Sequence, residues 1–192
     1  MSLGYWETLA SLVGTPTAIT AAARTSMTVG ATGARFTMPG GKLKLGDVIH
    51  VAASGRISSV ITTPGTARFD LAFGTSLGTA IMDSLAILLD TVAAHTNVGW
   101  KLFMEGTVQA VGTAANMSWD GQWICEDILG VPATAPKGVL TAMLPWNTNP
   151  AVSANFDSTI ANLIDLNFTQ TVATGSIQLT QYTLSHKTST GF

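Results

Sequence analysis

The chain has 192 residues, of which 46% are hydrophobic and only 10% charged, with a formal net charge of -2. An average soluble domain carries about 25% charged residues, so much of this surface must be neutral, and no basic field exists to hold nucleic acid. One domain with a sufficient core of its own is expected at this length, and the mean hydropathy of +0.36 points to apolar surface covered by further copies or partners.

The first fifteen residues stand apart. Tyr5, Trp6, Leu9, Leu12 and Val13 precede Pro16 without strand alternation. Aromatic side chains in a terminal segment need a surface to dock on. Residues 1–15 therefore read as a short N-terminal arm with Tyr5, Trp6 and Leu9 as candidate interface residues, and residues 16–192 as one β-sandwich domain. Packing on its own domain is the alternative for that segment. Met1 to Glu7 lacks the basic start and apolar run of a secretory signal, and no 18-residue apolar stretch occurs. Neither export by that route nor a membrane-spanning helix is expected.

Beyond the arm, strand-like runs recur at short intervals. Strands are predicted over Arg35–Met38, Asp47–Ile61, Arg68–Phe73, Trp100–Val111, Met117–Glu126, Val139–Leu144, Leu163–Thr171 and Ser176–Ser185. Between them lie the reversal residues Pro39-Gly40-Gly41, Thr63-Pro64-Gly65, Gly112-Thr113-Ala114, Pro132–Gly138 and Thr174-Gly175, with a longer loop over Pro145–Pro150. Glycine and proline supply the dihedral freedom or fixed φ that reversals require. Such spacing is the mark of an all-β antiparallel sandwich or barrel. The run from Ile81 to Asp90 fits a helix or a buried strand equally by periodicity, and its neighbours favour strand.

Two runs show the pleat plainly. Phe69, Leu71 and Phe73 alternate with Arg68 and Asp70, and Ile164, Leu166 and Phe168 alternate with Asp165, Asn167 and Thr169. Successive side chains point to opposite faces, so one face of each strand is expected in the core and the other in water. On that reading Phe69→Ala costs about 3–5 kcal/mol, and Asp70→Ala about 0.5 kcal/mol or less.

Little in the chain points to catalysis. His50, His95 and His186 are too far apart in sequence for a local metal motif, and a nucleophile elbow, a phosphate loop and a dinucleotide fingerprint are absent. No cofactor or catalytic residue is assigned. Asp120, Glu126 and Asp127 read as surface carboxylates, because no oxygen-rich calcium loop accompanies them. Cys125, the single cysteine, sits in the strand-like Trp123-Ile124-Cys125 and reads as a small buried hydrophobe made in a reducing compartment. Trp119 and Trp123 are four residues apart, on one face of a strand. They pack in a core or interface, or, with Trp146, stack on a sugar. An esterase or glycosidase would have to use Asp70, Asp83 or Asp165 without a motif.

Several phrases are familiar. Thr20-Ala21-Ala22-Ala23-Arg24-Thr25-Ser26-Met27, the segment from Ala53 to Thr66, Phe156-Asp157-Ser158-Thr159, Asp165-Leu166 and the ending Ile177 to Leu184 resemble a family of tailed-bacteriophage virion structural proteins of jelly-roll type. The resemblance covers most of the chain after about residue 15. It implies a jelly-roll subunit, a homotrimer, that contacts major capsid or other virion proteins as a head-decoration, cement or fibre-base component. A virion protein made in the host cytoplasm is the corresponding expectation, and a carbohydrate-binding module of a tail fibre or lectin is the alternative.

Overall fold

The computed structural model describes residues 6–130 and 139–189. Tyr5 and the turn expected over Pro132–Gly138 lie outside the described residues. Thirteen strands and no helix occur among the described residues. They are β1 (Trp6–Ser11), β2 (Arg24–Ser26), β3 (Phe36–Met38), β4 (Val48–Ser59), β5 (Thr66–Gly74), β6 (Thr79–Asp83) and β7 (Ile87–Leu88). Then follow β8 (His95–Ala110), β9 (Asn116–Leu129), β10 (Val139–Leu144), β11 (Ala151–Val152), β12 (Asn162–Gln170) and β13 (Ser176–Lys187).

All pairings are antiparallel, in two sheets. One runs β1-β13-β4-β8-β9-β10, with β11 also on β9; the other runs β2-β12-β5-β6, with β3 also on β12 and β7 also on β5. The first strand thus pairs with the last, β2 and β3 with β12, β4 with β8, and β5 with β6 and β7. Pairs nested in this way on alternating sheets are the topology of a jelly roll. Strands β9, β10 and β11 widen the first sheet beyond that frame.

The alternation that predicted these strands also fills the core between the sheets. Strand β4 sends Ile49, Val51, Ala53 and Ile57 inward, and β8 sends Trp100, Leu102, Met104 and Val108. Phe69, Leu71 and Phe73 of β5 are buried as the pattern requires. At the centre, the Phe69 ring lies 5.3 Å from Trp100, 5.0 Å from Trp123 and 5.1 Å from Phe168. One position demands glycine for closeness: a Cβ on Gly55 would sit 1.8 Å from the Gln178 carbonyl, beside the bulge between Leu179 and Gln181. The ambiguous run resolves into β6 and β7, which follow one another along the same edge of β5, with Leu85 at φ 61° in the break between them.

Two expectations need correction. Residues 6–11 are not an arm but the edge strand β1, paired along β13 from Trp6 opposite Lys187 to Ser11 opposite Thr183. The reason is that β13 has a second edge of unsatisfied backbone groups, and β1 completes it while burying Ala10 and packing Leu9 on the core. The Trp6 ring stays about half exposed, edge-on to His50 at 5.7 Å and under Lys187 Nζ at 5.8 Å.

The second correction concerns the face opposite the core on β5 and β12, which is not wet. Asp70, Asp165 and Asn167 are all 0% exposed. Strand β2, the edge strand beside β12 in the same sheet, and the Ser76–Gly78 turn supply donors to this face. Arg24 grips Asp70 through Nε and a terminal nitrogen and donates onward to the Leu77 and Gly78 carbonyls, while Asn167 donates to Asp70 from the other side. Asp165 accepts from the hydroxyls of Ser26, Thr28 and Ser76 and from the Leu77 N–H, with Arg35 3.7 Å away. Buried carboxylates persist only when paired in this way.

Candidate interaction surface

Two of the three histidines are tied into pairs with carboxylates. His186, fully buried, meets Asp47 at 2.9 Å, and His95 meets Asp90 at 2.9 Å. His50 lies on the outer face of β4, and His95 stands opposite Ser59 at the far end of that strand. Among the described residues no three His, Cys, Asp or Glu side chains are placed to hold a metal ion. The carboxylates considered for hydrolysis are engaged too: Arg68 pairs with Asp83 across β5 and β6, and Asp70 and Asp165 are held as described above.

Asp47 works as a clamp. Burial pushes its carboxyl pKa up, but the Ser189 N–H, His186 and the Lys44 N–H all bond its charged form, and the net position is below the ordinary carboxylate value. A folded-state pKa below the unfolded one, about 3.9 for Asp, adds stability above the unfolded value that is lost as pH falls through the folded one. Wild-type stability is therefore expected to fall on acidification below about pH 4, and Asp47→Asn to flatten that acid limb while lowering the neutral plateau. Urea titrations from pH 7 to pH 2.5 check this; parallel profiles for the two proteins would overturn it.

The tryptophans considered for sugar stacking divide. Trp119 is 3% exposed and Trp123 0%, so the two rings that share a strand face share the inward one and cannot meet a ligand. Shape explains this, since β9 lies between β8 and β10, and its inward phase fills the gap above Phe69. Trp146 is half-buried in the Pro145–Pro150 loop, packed against the core with its backbone N–H bonded to the Ser84 carbonyl. Cys125 is buried, and Asp120 and Glu126 are exposed. The Asp127 side chain lies outside the described residues.

What stays open is the outer face of the seven-stranded sheet. Register places its side chains in rows that run across the strands. One row is Thr183, Ala52, Phe103, Gln122 and Met143, from β13 to β10. On one side of it lies Gln181, Ser54, Lys101, Ile124 and Thr141; on the other, Ser185, His50, Glu105 and Asp120. Phe103 is 38% exposed and Met143 52%. Shallow hollows flank Phe103, one edged by His50, Glu105, Asp120 and Met143, the other by Ser54, Lys101, Gln181 and Thr183. No family model, curated protein or solved structure matches the chain.

Sequence reading had not singled out this face. A signal was present in β8, where Lys101, Phe103 and Glu105 alternate with the buried Leu102 and Met104. An aromatic on the polar phase of an amphipathic strand is the visible trace of a face that is neither core nor ordinary solvated surface.

Proposed function

We propose that this chain is a non-enzymatic structural protein of an assembled particle, of the tailed-phage virion kind, which self-associates and decorates or cements a capsid. The observation that carries the reading is the open, mostly neutral outer face of the seven-stranded sheet, with Phe103 and Met143 on it. Around that sheet Trp6, Leu140 and Val152 are also exposed. Apolar area of this extent on a chain with 10% charged residues favours coverage by protein. The jelly-roll frame supports the reading as a scaffold used in capsid and lectin domains. The engagement of buried carboxylates and histidines in internal pairs supports a structural rather than a catalytic role.

Burial would supply the mechanism. Apolar contact contributes about 25 cal/mol per Å², and symmetric repetition multiplies modest contacts over a particle. The carbohydrate-binding alternative is the weaker reading, because two of its three rings are inside the core. Sedimentation equilibrium at micromolar concentration is expected to give three copies of the 19.9 kDa chain or a multiple of three. A monomer alone, with no larger species, would overturn the self-association on which the proposal rests.

A further inference from the structure

Strand β8 carries the clearest unpaired charges on the open face. Lys101, Phe103 and Glu105 are all exposed on its outer side, with Asp120 next to Glu105 on β9. None of Lys101, Glu105 and Asp120 has an ion-pair partner among the described residues. The positive and negative charges stand on either side of the Phe103 row, each about 6.6 Å from it along the strand.

We propose that this face docks on the same face of a second copy, about a twofold axis lying in the interface and running across the strands at the Phe103 row. This inference rests on the self-association reading and names the partner surface within it. A closed twofold contact is isologous, so each residue's partner is set by the axis. Rotation about an axis across the strands reverses strand direction and keeps each strand over its counterpart. Lys101 of one copy then faces Glu105 of the other, twice per interface, and the Asp120 carboxylate lies diagonally across from the same lysine. The Phe103 row, with Ala52, Gln122 and Met143, meets itself at the centre. An axis along β8 would instead put Glu105 over Glu105 and Lys101 over Lys101, and one midway between β8 and β9 would put Glu105 over Asp120. Like charges so placed repel, which selects the first arrangement.

Size is consistent with such a contact. Five strands from β13 to β10, spaced about 4.8 Å apart, and about eight residues of roughly 3.3 Å along β8 make a flat footprint of about 600 Å². A standard interface takes about 800 Å² from each partner. The neutral residues Ala52, Ser54, Gln122 and Thr183 surrounding Phe103 bring no uncompensated charge into the contact.

The test is charge reversal at two exposed positions, read by sedimentation equilibrium on the full-length chain with thermal unfolding as the folding control. The wild type is expected to assemble in even copy number, six if trimers pair. Lys101→Glu and Glu105→Lys should each halve the mass while still unfolding in a single cooperative thermal transition, as folded chains that have lost only the contact. The double variant K101E/E105K should restore it. So should an equimolar mixture of the two single variants, because the two acidic positions of one chain then meet the two basic positions of the other. A wild type of only three copies, single variants that keep the wild-type mass, or a double variant that stays halved would overturn the face-to-face contact and leave self-association through another surface standing. A wild type that is monomeric would overturn both readings.

Discussion

Phe69→Ala is expected to destabilise the protein by about 3–5 kcal/mol, the largest loss from any single core truncation considered. Phe69 is fully buried at the point where the two sheets meet, in ring contact with Trp100 and Trp123 of one sheet and Phe168 of the other. Its removal forfeits the transfer free energy of the ring and three aromatic contacts, each worth about 0.5–1.5 kcal/mol beyond area burial. The three large neighbours are held by their own strands, so the cavity cannot close, and the loss should sit in the upper half of the range. Equilibrium urea unfolding measures it. A loss under about 1.5 kcal/mol would show that the surrounding rings collapse into the space and that the core is less rigid than its packing implies.

Asp165→Ala is expected to cost about 3–4 kcal/mol, in the range found when one partner is taken from a buried charged network. The substitution strips the acceptor from the Ser26, Thr28 and Ser76 hydroxyls and the Leu77 N–H, all gathered against a carboxylate with no solvent exposure. Arg35, at 3.7 Å and about one-third exposed, can turn to water, so the loss comes mainly from the orphaned neutral donors. The segment through β2 should loosen before the sandwich unfolds, because this network and the Arg24–Asp70 pair tie it to the sheet. Lys44→Ala, at an exposed side chain away from that face, is the control and should change stability by about 0.5 kcal/mol or less. Denaturant unfolding of both variants, with proteolysis at residues 14–30, checks the pair. Equal small losses would mean that water replaces the lost acceptor without cost.

The expectation of a small effect for Asp70→Ala fails for the same reason. Its carboxylate is fully buried and bonded by Arg24 and Asn167, so its loss belongs with that of Asp165.

Much of the fold was legible because strand periodicity is local. Alternation placed Phe69, Leu71 and Phe73 inward, and the structure has them there; the run Val139–Leu144 is β10 to the residue. Glycine and proline marked the chain reversals because their dihedral requirements are also local. What a period of two cannot say is what lies beyond the face it exposes. Asp70 and Asp165 occupy the same phase of their strands as Lys101 and Glu105 do of theirs, yet the first two are sealed and the second two are open. That difference is decided by Arg24 of β2 and the Ser76–Gly78 turn, which meet over the Asp70 and Asp165 face. It was decided for the tryptophans too: equal spacing on β9 is compatible with either face, and the packing of β9 against Phe69 turned both rings inward. The sequence by itself determined the longer strands beyond the first fifteen residues, their inward residues and the scarcity of charge. Only the tertiary structure decided that β1 closes an edge, that one polar face is buried, and that the other is exposed, because each of these depends on contacts between residues far apart in the chain.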